Sequence, residues 1–238
     1  MRYDLHRHPA SSHQRILRVL LADPRAPVLD VGCAHGTIGA LLAEAGGGVV
    51  PVIDGIEPDA GWAAEARPWY RTLHVARVED VALPAGTYAQ VVLADVLEHL
   101  PDPVGLLREL QVAARPDARF LISVPNVAHL AARLLLLLGR FPRMERGIFD
   151  RTHLHLWTRD TFADVLAEAG MRVERWEATP VPLEQVWPDG RLPALRGLAM
   201  RLQTAGVRVL PRVFGYQWVV VAVPAGIPTA DTDGRRPA

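Results

Sequence analysis

Apolar residues recur in two rhythms along this chain. Short continuous runs read "APVLDV" (26–31), "GVVPVIDGIEPD" (48–59), "TLHVARVED" (72–80), "YAQVVLAD" (88–95) and "ARFLISVPN" (118–126). Such runs predict strands: "APVLDV", closing on a glycine turn, reads as a buried parallel strand, and "TLHVARVED" as the weakest of the five. Between them the apolar spacing lengthens to three and four residues, the helical period. "TIGALLAEAG" (37–46) predicts a helix stopped by Gly46, and "AGWAAEARPWY" (60–70) predicts another. In "DPVGLLRELQVAARPD" (102–117) the expected apolar face carries Val104, Leu107, Leu110 and Val112.

Strand and helix therefore alternate up to about residue 125, which predicts an open parallel sheet with helices on both faces. In such sheets ligands sit beyond the carboxyl ends of the strands. That places the 31–36 turn, Glu57, the 77–80 segment and Asp95 around one crevice. The later chain reads differently. Residues 126–157 are expected to hold a long helix and then "RMERGIFDRTHLHLWT", and 158–170 a second helix between a Thr158 cap and Gly170. "RVERWEA" and "GYQWVVVAVP" read as two final strands. The organisation expected is an N-terminal helical segment (1–25), a main α/β domain (26–223) with lid elements around 127–157 and 180–212, and a disordered tail (224–238).

Composition narrows the function classes. The 26 basic residues, all arginine, balance 26 acids, which argues against a bulk electrostatic grip on nucleic acid. Cys33 is the only cysteine, so no disulfide forms within the chain, as in a reducing compartment. The polar start "MRYDLHRHPASSHQ" has no signal-peptide core, and the run "LAARLLLLLGRF" (130–141) is too short for a membrane span. These features predict a cytoplasmic protein. The arginines of 191–212 read as a solvated helix face, with contact to phosphate groups or a membrane surface as the alternative.

The turn in "VLDVGCAHGTIGALLAE" (28–44) identifies the ligand class. It has no G-K-[ST], which excludes a P-loop. Its glycines, Gly32, Gly36 and Gly39, depart from the dinucleotide spacing G-x-G-x-x-G. Asp30 ends the strand, where a carboxylate repels a pyrophosphate and suits a cationic ligand such as S-adenosylmethionine. At these residues the chain resembles class I S-adenosylmethionine-dependent methyltransferases. "VLDVGCAHG" resembles their first motif, "GIEPD" the end of their second strand, "VVLADVLEHLPDP" their fourth-strand motif, and "LLRELQVAARPDARFLISVPN" the helix and strand that follow.

That resemblance implies a Rossmann-like, seven-stranded, mostly parallel sheet with helical lid insertions. It implies cofactor contacts from Asp30, Gly32, Cys33, Ala34 and Gly36, with glycine needed where a Cβ would meet the ligand. Glu57, about 20 residues beyond the turn, is the acid expected to take the ribose hydroxyls. Glu79 or Asp80 is expected at the adenine, and Asp95 as a positioning residue. Ala34 stands where the family commonly has glycine, and Cys33 reads as a small buried hydrophobe.

The segment "GRFPRMERGIFDRTHLHLWTRDTF" resembles a methyltransferase subgroup associated with glycan, surface-polysaccharide and secondary-metabolite pathways. This implies a hydroxyl acceptor on a small molecule or glycan, with no nucleic-acid partner. The alternatives are N- or C-methylation and a catalytically silent cofactor-binding protein. His153 is the first candidate for a general base, His99 the second and His129 the third. Asp150, His153 and His155 form a D-x-x-H-x-H pattern whose histidines would share a face on a strand; with no fourth ligand in view, no metal is expected. Trp157, Trp187, Tyr216 and Trp218 read as core or interface residues.

Overall fold

The computed structural model of the chain describes residues 9–48, 52–183 and 193–226. The residues expected as a tail from 227 onward lie outside the described residues, as do Trp187 and Arg191. Strands β1 (Val28–Val31), β2 (Ile53–Ile56), β3 (Thr72–His74), β4 (Tyr88–Ala94), β5 (Ala114–Pro125), β6 (Met171–Thr179) and β7 (Gln217–Pro224) form one seven-stranded sheet. Its order is β3-β2-β1-β4-β5-β7-β6. The first five strands pair in parallel, and β7 runs antiparallel to both β5 and β6. This is the expected α/β class. The order reverses between β1 and β4, so the crevice expected at a topological switch point opens over the carboxyl ends of these two strands.

Helix α1 (Ser12–Ala22) is capped by the Ser11 hydroxyl, which accepts from Gln14 N–H. With α2 (Thr37–Ala45) and α3 (Ala60–Ala66) it covers one sheet face, over Ile16, Leu20, Ile38, Ile53, Val92, Leu121 and Val221. On the other face, α4 (Pro103–Ala113) and α6 (Arg159–Glu168) bury Leu107, Leu110, Phe162 and Leu166 against Phe120, Ile122 and Val220. The one-residue alternation along β5 and β7 sends Leu121 and Val221 to one core and Ile122 and Val220 to the other.

Two expectations need correction. The buried face of α4 is Pro103, Leu106, Leu107, Leu110 and Ala113, while Val112 is 68% exposed. A 3.6-residue repeat cannot place positions 110 and 112 on one face. The long helix expected in 126–157 is only α5 (Leu130–Leu137), because the chain turns at Gly139 with φ +68. In 180–212, α7 (Pro193–Val209) and α8 (Pro211–Phe214) pack together and no described residue lines the crevice, while 184–192 lie outside the described residues. The covering segment is 145–153, held by the small cluster of Ala132, Ile148 and Phe149.

Gly36 has φ +81, and a Cβ there would stand 2.8 Å from Ala66 Cα and 3.1 Å from Trp69 Cδ1. The near atom is backbone, so it cannot rotate away. Left-handed backbone costs an alanine about 1–2 kcal/mol, and overpacking typically adds about 1–3 kcal/mol. Gly36→Ala is therefore expected to lower unfolding stability by about 2–5 kcal/mol, read from urea denaturation with an unchanged slope.

Candidate active site

The crevice is a cavity of about 720 Å³, within the range of about 300–1,000 Å³ typical of small-ligand sites. Its walls come from the turn after β1, the ends of β2 and β4, and the 145–153 segment. Asp30, Gly32, Cys33, Ala34, Glu57, Glu79, Asp95, His99 and His153 all line it. Gly36 and Asp80 do not. Gly36 instead starts α2, and its tight contacts are with protein atoms. Asp80 shares a single 3-10 turn with Glu79, and successive side chains in such a turn point about 120° apart. Only Val78 and Glu79 of that turn reach the cavity.

The turn after β1 is held by backbone bonds from Gly32 N–H and Cys33 N–H to Ile56 O, at 2.8 and 3.1 Å. Gly32 has φ +65, and a Cβ there would lie 2.8 Å from Val96 Cγ2. The need for glycine at 32 and 36 thus arises from packing of the turn itself and not only from room for a ligand. Ala34 adopts φ +46, an uncommon conformation for a residue with a Cβ. It is stabilised there because its N–H donates to Glu57 Oε2 at 2.8 Å. Glu57 Oε1 accepts from Asp59 N–H, also at 2.8 Å. Each carboxylate oxygen has two lone pairs, so Glu57 retains acceptor capacity for two hydroxyls. Its side chain is 4% exposed, which keeps water from competing.

Asp30 is 2% exposed and accepts a 2.6 Å hydrogen bond from the Tyr70 hydroxyl, a partner not legible in the sequence. Burial pushes its carboxyl up to about 7; Tyr70 opposes the rise and Glu57 adds to it. Because the folded value exceeds the unfolded one, near 4, the contribution to stability is full at low pH. It is lost as pH rises from about 4 to about 7. Relative to Asp30→Asn, the ligand-free protein is expected to lose about 1.4 kcal/mol per pH unit over that interval. Chemical denaturation of both proteins across the interval measures this, and parallel profiles would show Asp30 to be ionised throughout. Burial likewise raises the Cys33 thiol far above its usual range, which agrees with a buried hydrophobe and not a nucleophile.

Asp95 sits at φ +59 at the end of β4. Its two oxygens accept from Ser123 Oγ and Gln217 Nε2, each at 2.8 Å. One donor on each oxygen fixes the orientation of this carboxylate at the end of β4. Desolvation nevertheless holds its carboxyl above the usual range.

The histidines separate clearly. His99 and His153 meet edge to face with ring centroids 4.8 Å apart, on the cavity wall. Desolvation and the neighbouring His99 lower the His153 value. Between them and the core lies Glu98, 1% exposed, with neither carboxylate oxygen hydrogen-bonded among the described residues. Burial, then the nearby Asp95 charge, pushes it well above the carboxylate range. Sequence reading missed Glu98; the only signal was an acid beside His99 within an apolar run. His129 does not line the cavity, and its Nδ1 accepts from Ala131 N–H at the start of α5. His155 turns away, stacks on Trp157 at 5.1 Å and bonds Leu100 O through Nε2 at 3.0 Å. Residues 151–156 are turn, bend and coil, not strand, so the shared face that a strand would give His153 and His155 does not exist.

The cavity fits a ligand bearing a diol and a positive charge: Glu57 offers spare acceptors and Asp30 a buried acid, both on its wall. Comparisons with known proteins bear on the same region. Residues 1–175 match the family described as methyltransferase domain. A ubiquinone biosynthesis O-methyltransferase of Vibrio campbellii is 29% identical over 131 residues, 54% of this chain and 55% of that protein. The chain thus spans a little over half the length of this curated relative. A SAM-dependent methyltransferase structure from Archaeoglobus fulgidus superposes with TM-score 0.59 at 17% identity, covering 90% of this chain and 94% of that one. The 1,6-didemethyltoxoflavin-N1-methyltransferase of Burkholderia thailandensis, solved with 1,6-didemethyltoxoflavin and S-adenosylhomocysteine, gives 0.57 at 17% identity, over 91% and 80%. The chain belongs to the methyltransferase domain family, and its fold is that of class I S-adenosylmethionine-dependent methyltransferases.

Proposed function

We propose that the chain transfers a methyl group from S-adenosylmethionine to a hydroxyl of a small molecule, in the class of sugars, glycans and secondary metabolites. The observation that carries this reading is the pair His99 and His153 on the wall of the cavity that also contains Asp30 and Glu57. When bound, S-adenosylmethionine supplies a sulfonium methyl, and the bonding pair stays with sulfur as the methyl leaves. A hydroxyl must lose its proton to accept that methyl, and neutral imidazole is suited to take it near neutral pH. Amines that are already unprotonated need no such group, so the histidine pair favours oxygen. The O-methyltransferase name of the Vibrio relative points the same way.

In this reading Glu57 holds the ribose hydroxyls, Glu79 approaches the adenine, and Asp30 with the turn 32–34 receives the methionine half. Cys33 and Ala34 contribute backbone to that turn. Asp95 positions the end of β4. The 145–153 segment serves as the lid, and the half-buried Tyr216 and partly exposed Trp62 offer stacking faces for a sugar or aromatic acceptor. Among the described residues no helix is long and apolar enough to cross a membrane.

Titration with S-adenosylmethionine and S-adenosylhomocysteine, followed by a mass-spectrometric screen of sugar and aromatic hydroxyls, tests the proposal. Micromolar cofactor binding and a methyl ether product are expected. Methyl transfer to amines in the same screen, with none to hydroxyls, overturns the assignment to oxygen.

A further inference from the structure

The unpartnered carboxyl of Glu98 needs an account, since a buried polar group without a partner is costly. One ligand atom each from Glu98, His99 and His153 can be chosen so that all three lie within 4.8 Å of one another. His153 Nε2 stands 4.0 Å from Glu98 Oε1, too far for a hydrogen bond. Donor atoms around a tetrahedral cation with bonds of about 2.1 Å are roughly 3.4 Å apart. Bringing all three donors from within 4.8 Å to that spacing takes movements of at most about 1.4 Å, within reach of side-chain rotation.

The surrounding hydrogen bonds fix both rings for such a role. Thr152 Oγ1 donates to Asp150 Oδ1 at 2.6 Å, so its lone pair faces His99 Nδ1 at 3.1 Å and receives that N–H. His153 Nδ1 lies 3.4 Å from Ile148 O, and a carbonyl only accepts, so this nitrogen also bears the hydrogen. Each ring is then left with a lone pair on Nε2. An outward Nδ1–H held by a hydroxyl or carbonyl is the arrangement that orients histidine ligands. Backbone bonds from Leu154 and His155 N–H to Glu98 O, at 2.8 and 3.2 Å, tie the two segments together.

We infer that Glu98, His99 and His153 form a binding site for a divalent transition-metal ion on the cavity wall. Two imidazoles and one carboxylate suit Zn²⁺, Fe²⁺, Co²⁺ or Mn²⁺ and leave coordination positions open. The site needs no contribution from Asp150, which supports Thr152, or from His155, which faces away. Its use in catalysis rests on the methyl-transfer reading: a dication beside the acceptor lowers the pKa of a bound hydroxyl. The histidines then act through the ion.

The test uses the full chain, stripped with chelator and titrated with Co²⁺, whose visible spectrum reports coordination. Saturable uptake of a single equivalent, with absorption bands displaced by Zn²⁺, is expected. Glu98→Gln and His153→Gln should each weaken uptake at least about 100-fold, and Thr152→Val about 10–100-fold through loss of its hold on His99. S-adenosylhomocysteine binding by each variant shows that it is folded. Thr152 is exposed, so its replacement tests the site without disturbing the core. No uptake by the wild type, or uptake unchanged in all three variants, overturns the site. Cofactor binding without metal uptake leaves methyl transfer standing and removes the ion; metal uptake without cofactor binding does the reverse.

Discussion

Glu57→Ala is expected to weaken S-adenosylhomocysteine binding at least about 100-fold, with little change in the far-UV circular dichroism of the fold. Two effects combine. In the proposed reading the substitution removes the acceptors for two ribose hydroxyls, each worth about 1.5–3 kcal/mol when the acceptor is charged. It also frees Ala34 N–H and Asp59 N–H, which Glu57 Oε2 and Oε1 accept at 2.8 Å. Ala34 then keeps its left-handed conformation with no bond to offset the strain. Loss of one hydroxyl pair alone gives about 3 kcal/mol or more, hence the hundredfold figure. Glu57→Gln separates the two effects, because the amide oxygen can still accept from one N–H but the charge is gone. An affinity within a few-fold of wild type for the alanine variant would remove Glu57 from the ribose and return it to a structural clamp.

The parts of this site legible in the sequence are those set by local chain geometry. Asp30, the glycine turn and Glu57 occupy strand ends, and a parallel sheet brings strand ends together whatever the helices do. The strand runs announced themselves because central parallel strands are apolar on both faces, as Val91, Val92 and Leu93 are. What stayed hidden depends on contacts across long separations. Tyr70 reaches Asp30 only because the 3-10 turn after α3 folds beneath β1. Glu98 appears as an ordinary helix-start acid until the 145–153 segment closes over it. The histidine pattern around 150–155 carries no shared face, because a period of two implies one only on a strand and residues 151–156 are turn and coil. Val112 misled for a different reason: apolar identity was given more weight than helical phase, and residue 112 points to solvent.

His153→Gln is expected to lower kcat about 10²–10⁴-fold while leaving S-adenosylhomocysteine affinity within a few-fold of wild type. The side chain lies on the cavity wall within a ring's contact of His99, and it makes no bond to the turn 32–36 or to Glu57. Its loss therefore acts on the acceptor's proton and not on the cofactor. His129→Gln and His155→Gln provide the comparison. His129 caps α5 and His155 packs on Trp157, so their effects should fall on stability, by about 1 kcal/mol for the cap. The combination His99→Gln with His153→Gln then distinguishes how the pair works. Two groups that act as one unit lose nearly all their effect with the first substitution, so the double variant should be scarcely slower than either single one. Multiplying losses would mean that His99 and His153 serve separate steps, one removing the proton and the other holding the acceptor. A kcat for His153→Gln within threefold of wild type would move the proton acceptor away from this residue altogether.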